Sequence, residues 1–251
     1  LIDGVAETTA SLLKGVSGWL SDKLGKRKRL AVIGYGLSSV AKPFLYFATS
    51  WYAVLAVRFA DRTGKGIRTS PRDALIADSI REDQRGIAFG LHRAGDTAGA
   101  MVGLIIALIV VVVTQSSALE LSRDTFQWLV VLSIIPAFAA VGVLAWKAQE
   151  VPIPEKKKSP DEEAEEEKTR LGFWDLNKDF RIFLGIMAVF TLGNSSDAFI
   201  ILRAQERGLT GGGLLGMLIT FSFVYAVVSG PWGALLGRVG RFRLMISGWT
   251  V

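Results

Sequence analysis

The sequence predicts an all-α membrane protein, and two observations support this prediction. The chain has 251 residues, of which 50% are hydrophobic, and this share alone would suit an ordinary globular protein. The charged residues, however, are segregated, because residues 97–119, 125–146 and 208–237 contain no Asp, Glu, Lys or Arg. A helix needs about 20 mostly apolar residues to cross the hydrocarbon of a bilayer, so each of these runs is long enough to span a membrane.

The apolar runs between charge clusters predict seven membrane-spanning helices and the start of an eighth. We expect them near residues 1–21, 30–49, 51–80, 84–114, 126–147, 178–205 and 211–236, and from 242 onward. The chain begins and ends inside such runs, which predicts the interior part of a longer membrane protein.

Basic residues are concentrated in alternate connections between these helices. They cluster at residues 23–29, 81–85 and 238–243 and in the segment 148–177, whereas the remaining connections contain few bases. Basic loops face the cytoplasm in most membrane proteins. We therefore expect an integral protein of the cytoplasmic (inner) membrane, with these loops on the cytoplasmic side.

The segment 148–177 divides the chain into two membrane parts. It contains three prolines and a run of acidic residues at 161–167, a composition that cannot bury a core. The sequence predicts an N-terminal bundle at 1–147, a charged cytoplasmic linker at 148–177, and the start of a C-terminal bundle at 178–251.

A repeat supports the division into two halves. Residues 18–27 (GWLSDKLGKR) align without a gap on residues 233–242 (GALLGRVGRF). The first copy, with Gly18, Asp22 and Gly25 followed by bases, resembles the cytoplasmic loop signature of the major facilitator superfamily. The resemblance implies two pseudo-symmetric six-helix halves, of which this chain would cover the second to the early ninth helix. It also implies a solute site between the halves that opens to each side in turn.

The signature loop is the candidate gating element. An Asp at a helix end can pair with a cation or helix terminus of a neighbouring helix and so favour one orientation of the half. In the second copy Gly237 replaces this Asp, so the role depends on the first copy alone. The alternative is that the bases serve only as cytoplasmic anchors. The expected gating residues are Gly18, Asp22, Lys23, Gly25, Lys26 and Arg27.

The third predicted helix is unusually charged for a membrane span. At 100° per residue, seven charged residues fall within an arc of about 140°. They are Arg58, Asp61, Arg62, Lys65, Arg68, Arg72 and Asp73. A charge at membrane depth costs at least about 2.5 kcal/mol, so this face should contact a wet cavity or partners instead of lipid.

The excess of bases on this face predicts contact with an anionic group of a substrate. Arg58, Arg62 and Lys65 are the candidate contacts, whereas Arg68 and Arg72 could simply line the cytoplasmic mouth. Within the helix, we expect Asp61 to reach Lys65 at i+4, and we expect Asp73 to point slightly away from Arg72.

Other predicted helices contribute further polar candidates. Asn194 and Asp197, near the middle of the sixth helix, are candidate substrate ligands, with a polar helix-packing cluster as the alternative. Asp61, Asp96 and Asp197 are the candidate proton carriers. Glu7 in the first helix is a possible partner of Lys42 in the second, which could instead reach to the membrane surface.

These features predict a secondary transporter that moves a small anionic or zwitterionic organic solute with protons by alternating access. One alternative is a multidrug–proton antiporter, because glycines at 95, 99 and 103 resemble the glycine-rich helix of that class. Leu104, however, occupies the position where those proteins have Pro. The other alternative is a non-transporting membrane sensor or assembly protein that uses the linker as a docking tail.

The sequence contains no nucleotide-binding loop, nucleophile elbow or paired-His metal motif. We therefore expect no enzymatic activity, no cofactor and no metal. The bases lie at loop ends and inside predicted helices, which argues against nucleic acid as a partner. The expected partners are the lipid bilayer, a small-molecule substrate, protons and the helices of the complete chain that are missing from these 251 residues.

Overall fold

The computed structural model describes residues 2–114, 122–151, 177–193, 197–240, 243 and 246–248. These residues form helices and connecting turns, and no strand occurs among them, so the prediction of an all-α protein is confirmed. The longer helices are α1 (Ile2–Leu24), α2 (Arg27–Ala41), α3 (Trp51–Asp78), α4 (Arg85–Thr114), α5 (Arg123–Lys147), α6 (Lys178–Gly193), α7 (Asp197–Glu206) and α8 (Gly211–Val239). Short 3-10 helices occupy Lys42–Phe47 and Glu82–Gln84.

Four of these segments are long and apolar enough to cross a membrane. They are Arg27–Phe47, Glu82–Thr114, Arg123–Lys147 and Gly211–Ser229. Helices α1 and α3 do not meet the same criterion of composition, and α3 carries the charged face described above. The predicted span at 178–205 corresponds to α6 and α7, and residues 194–196 between them lie outside the described part of the chain. The total of seven spans and the start of an eighth stays a prediction.

The chain forms two compact units. The first unit comprises residues 1–153 and 210–251. Within it, α3 packs against α1 and α2, and α8 packs against α4. Helix α5 packs against α2 and the first 3-10 helix. The second unit comprises residues 154–209 and contains α6 and α7. The division at 1–147, 148–177 and 178–251 stays a prediction, and the acidic run lies outside the described residues.

Large apolar side chains are exposed along the long helices. A water-soluble monomer rarely exposes a contiguous apolar surface of this kind, whereas lipid covers it without cost. Examples are Val113 on α4, Ile135 on α5 and Phe221 on α8. Their exposure agrees with an integral membrane protein.

Close backbone contacts hold α3 between α1 and α2. A Cβ atom added at Gly66 would lie 2.8 Å from the carbonyl oxygen of Ala10 on α1. A Cβ atom at Gly34 of α2 would lie 2.7 Å from the carbonyl oxygen of Gly64 on α3. The Ser17 hydroxyl also donates a hydrogen bond of 2.9 Å to the Gly66 carbonyl across the α1–α3 contact. Small residues at these positions let the three backbones approach closely.

The N-terminus of α2 is unusual because it begins with bases. Its first turn contains no acidic residue, and the N-cap residue Lys26 makes no capping hydrogen bond with its side chain. The Glu150 carboxylate, just after α5, accepts a hydrogen bond of 2.9 Å from the Lys28 backbone N–H. An acid near a helix N-terminus is favourable, so Glu150 supplies from another part of the chain the cap that α2 lacks.

We expect Glu150→Ala to lower the free energy of unfolding by about 1 kcal/mol, because it leaves this N–H without its carboxylate partner. Titration of the purified protein in mixed micelles with a denaturing detergent measures the change. Gln149→Ala, at the exposed neighbouring position, is the control. Equal unfolding of both variants would show that the Glu150 contact does not stabilise α2.

Candidate functional site

The charged face of α3 lies between the two helices that flank it. The contact positions Gly64 (toward α2) and Gly66 (toward α1) are about 160° apart around α3 at 100° per residue. Arg58, Lys65 and Arg72 lie on the wider arc between these two contact positions, which spans about 200°. Packing against α1 and α2 therefore directs the charges of α3 to one side and leaves its apolar side for other contacts.

Glu7 of α1 binds two cations of this face. Its Oε1 atom accepts a hydrogen bond of 2.8 Å from Lys65 Nζ, and its Oε2 atom lies 3.2 Å from Arg62 Nε. Lys65 therefore pairs across helices, and the expected pair with Asp61 is not formed. Lys42 forms no ion pair with a described residue, so it is not the partner of Glu7.

Asp61 contributes its backbone to the α2–α3 contact. The Ser38 hydroxyl of α2 donates a hydrogen bond of 3.0 Å to the Asp61 carbonyl oxygen. The Asp61 carboxylate forms no ion pair with any side chain in the described part of the chain. Its role as a proton carrier stays a prediction.

Arg68 and Arg72 have different kinds of partner. The Arg68 guanidinium lies 4.4 Å from the ring centre of Tyr35 and donates a hydrogen bond of 2.8 Å to Ser38 Oγ, so its partners are uncharged. Arg72 donates hydrogen bonds of 3.0 and 2.8 Å from Nε and Nη2 to Asp73 Oδ1. The expectation that Asp73 points away from Arg72 is wrong, because both side chains bend to form this pair between adjacent residues.

The signature loop joins three helix ends. Gly25 has a φ of 62°, a conformation that favours glycine, and its N–H donates to the Ser21 carbonyl at the end of α1. Arg27, the first residue of α2, lies 3.2 Å from Asp22 and also pairs with Asp78 at the end of α3. The loop therefore connects α1, α2 and α3 through one guanidinium group.

The other gating candidates have simpler surroundings. Gly18 faces Ser70 of α3, whose Cβ would lie 3.4 Å from a Cβ added at the glycine. Lys23 Nζ lies 5.1 Å above the ring of Trp19, and Lys26 is exposed. Gly18 thus permits close packing of α1 on α3, whereas the two lysines lie at the surface.

The remaining candidates with described positions lie on α3, α4 and α7. Arg58 is half-buried on α3, and Asp96 is exposed on α4, where it forms no ion pair within the described residues. Asn194 lies outside the described residues, and Asp197 begins α7. The roles expected of Asn194 and Asp197 therefore stay predictions.

Sequence reasoning missed three residues of these networks. Tyr35 and Ser38 follow the helical spacing of the α2 face that meets α3, but nothing in their type distinguishes them from packing residues. Asp78 is an acid at the C-terminal end of α3, opposite the basic loop. Arg27 is half-buried and requires a counter-charge, and this requirement could have indicated Asp78.

Helices long and apolar enough to cross a membrane, together with ion-paired charges on α3, are typical of an integral membrane protein with a polar site. The chain matches the Major Facilitator Superfamily over residues 1–251, and it belongs to this family. Membership confirms the family that the signature loop resembles.

Three relatives illustrate the similarity. An uncharacterized MFS-type transporter of Methanocaldococcus jannaschii is 32% identical over 257 residues, covering 100% of this chain and 60% of the relative. Uncharacterized proteins of Mycobacterium bovis and Mycobacterium tuberculosis are each 27% identical over 210 residues, covering 83% of this chain and 49% of each relative. The chain therefore spans about half to three-fifths of these relatives. No solved structure matches it significantly.

Proposed function

We propose that the complete protein moves a small anionic or zwitterionic organic solute across the cytoplasmic membrane by alternating access, with proton coupling. The observation that supports this most directly is the incomplete neutralisation of the charged face of α3. One carboxylate, Glu7, serves both Arg62 and Lys65. The group formed by Glu7, Arg62 and Lys65 therefore keeps a net positive charge, which a solute anion can offset.

Arg68 adds to this positive surplus. Its partners Tyr35 and Ser38 hold the guanidinium without neutralising it, and the charges of Asp61 and Asp96 reach it only through space. A half-buried cation with neutral partners attracts anions more strongly than an exposed one, because the local dielectric is lower. The face as a whole therefore favours a solute with a carboxylate or a similar group.

Asp61, Asp96 and Asp197 stay the proposed proton carriers. The first two have carboxylates without an ion pair among the described residues, so protonation would not have to break a contact. Asn194 and Asp197 stay proposed substrate ligands on the evidence of their sequence positions alone.

The signature loop is the proposed gate. Arg27 holds the cytoplasmic ends of α1, α2 and α3 together, so a rocking half would move these ends as one body. Asp22, on the exposed side of Arg27, can release or re-form its contact without breaking the pair between Arg27 and Asp78.

We expect Arg62→Ala to raise the KM for the transported solute about tenfold or more, since a hydrogen bond to a charged group contributes about 1.5–3 kcal/mol. Transport into proteoliposomes of the complete protein, with a panel of labelled carboxylates and amino acids, provides the measurement. Arg81→Ala in the exposed loop after α3 is the matched control. Unchanged kinetics of every transported solute in Arg62→Ala would exclude Arg62 as a contact.

The same vesicles separate the alternatives. Exchange of hydrophobic cations alone would favour a multidrug–proton antiporter, and the absence of exchange for every solute class would favour a sensor or assembly protein. Uptake of an anionic or zwitterionic solute supports the proposal.

A further inference from the structure

We propose that Glu7 is an internal competitor for the substrate anion, and that its release from Arg62 and Lys65 is the step at which one proton is taken up. This inference rests on the proposed function and adds to it a specific coupling residue. Neither the signature loop nor the aspartates named above supplies this role.

The geometry shows how the competition would work. Each oxygen of the Glu7 carboxylate contacts a different cation, Oε1 with Lys65 Nζ at 2.8 Å and Oε2 with Arg62 Nε at 3.2 Å. A substrate carboxylate bridging the same two cations would need the same positions. Glu7 and a bound carboxylate therefore exclude each other at this pair.

Arg62 and Lys65 are accessible to a solute but are also partly shielded from solvent. The side chain of Glu7 is 46% exposed, that of Lys65 33% and that of Arg62 24%. A solute can thus reach the two cations from the exposed side of Glu7. A fully buried pair would block access, and a fully exposed pair would be too weak to compete.

The charges around Glu7 are predominantly positive. Lys65 and Arg62 act on it from α3, and Lys14 acts on it from its own helix. On α2, which also touches α1, Tyr35 is the ionisable side chain beyond the basic first turn, and it lies against Arg68. Lys42 and Tyr46 follow in the first 3-10 helix. Arg62 and Lys65, the two cations that the substrate would bind, therefore provide most of the stabilisation of the ionised form of Glu7.

The proposed step balances in charge. The substrate anion forms ion pairs with Arg62 and Lys65, the Glu7 carboxylate leaves them, and a proton from the solvent on the exposed side of Glu7 binds the released carboxylate. A carboxylate that loses its cations in a partly desolvated site favours its protonated form. One negative charge and one proton enter together, so a monovalent anion would cross without net charge movement.

The test uses the complete protein in detergent, with sulfate and methanesulfonate as probes because their charges stay constant between about pH 5 and pH 8. In the unmodified protein we expect both probes to bind about tenfold more tightly at the lower pH, equivalent to about 1.4 kcal/mol. Glu7→Gln should bind them about tenfold more tightly than the unmodified protein at about pH 8, with no remaining pH dependence. Isothermal titration calorimetry measures these affinities.

Two further variants sharpen the test. Glu206→Gln removes an exposed acid at the end of α7 and should leave both affinity and pH dependence unchanged. Lys65→Gln leaves Glu7 with one cation instead of two, so the midpoint of the pH dependence should move to higher pH. If Glu7→Gln does not fold, Lys65→Gln still tests the inference.

Unchanged affinity and pH dependence in Glu7→Gln, or an unmoved midpoint in Lys65→Gln, would overturn the inference. These failures differ from failure of the proposed function. If Glu7→Gln tightens probe binding as expected but the complete protein transports no anion, the competition stands and the transport proposal fails. If anions are transported but Glu7→Gln shows no change, only the role of Glu7 is lost.

Discussion

Replacing Gly34 by Ala is expected to destabilise the protein by about 1–3 kcal/mol, the usual cost of overpacking a close contact. An added Cβ atom would lie 2.7 Å from the Gly64 carbonyl oxygen and 2.7 Å from the backbone nitrogen of Arg68. Neither backbone atom can move without separating α2 from α3. The loss should be visible as a lower midpoint in detergent-induced unfolding.

Gly36→Ala is the matched control on the same helix. Nothing lies within 4 Å of a Cβ atom at this position, so Ala should be neutral or stabilise α2 by about 0.5–1 kcal/mol. If Gly34→Ala and Gly36→Ala unfold alike, the close packing of α2 on α3 described above is wrong. Gly64→Ala should behave like Gly34→Ala, because its added Cβ atom would lie 2.5 Å from the Gly34 carbonyl oxygen.

Arg27→Ala should also have a large effect, about 2–3 kcal/mol. Removing one member of a buried ion pair costs about 3–5 kcal/mol, and partial exposure of Asp78 reduces this figure. The side chain of Arg27 is 12% exposed and that of Asp78 29%. The substitution also removes the hydrogen bond of 3.2 Å from Arg27 to the Ala74 carbonyl oxygen.

Asp22→Asn provides the contrast within the same loop. Asp22 is 69% exposed, so its contact with Arg27 should contribute less than about 0.5 kcal/mol to stability. We expect Asp22→Asn to unfold like the unmodified protein while Arg27→Ala does not. The reverse order would contradict the assignment of Asp78 as the principal partner of Arg27.

The helices could be predicted from the sequence because their signal is local. Uncharged runs and charge clusters placed α4, α5 and α8 close to their observed bounds. The cationic face of α3 was also predictable, since it follows from the spacing of residues on one helix. Both predictions depend only on residues that are near each other in the chain.

The partners of those charges could not be predicted in the same way. Spacing within α3 favoured a contact between Asp61 and Lys65, but the packing of α1 on α3 brings Glu7 to Lys65 instead. Glu7 is 58 residues away along the chain, so its contact depends on how two helices dock. The pairing of Arg27 with Asp78 likewise depends on the meeting of helix ends that are distant in sequence.

Solute counterflow into proteoliposomes of the complete protein tests the central claim most directly. Vesicles loaded with one unlabelled solute from a panel of carboxylates, amino acids and hydrophobic cations would be diluted into the labelled form of the same solute. We predict exchange of at least one anionic or zwitterionic solute, with loss of that exchange in Arg62→Ala and its retention in Arg81→Ala. Exchange restricted to hydrophobic cations, or exchange unaffected by Arg62→Ala, would contradict the assignment of the α3 face as an anion site.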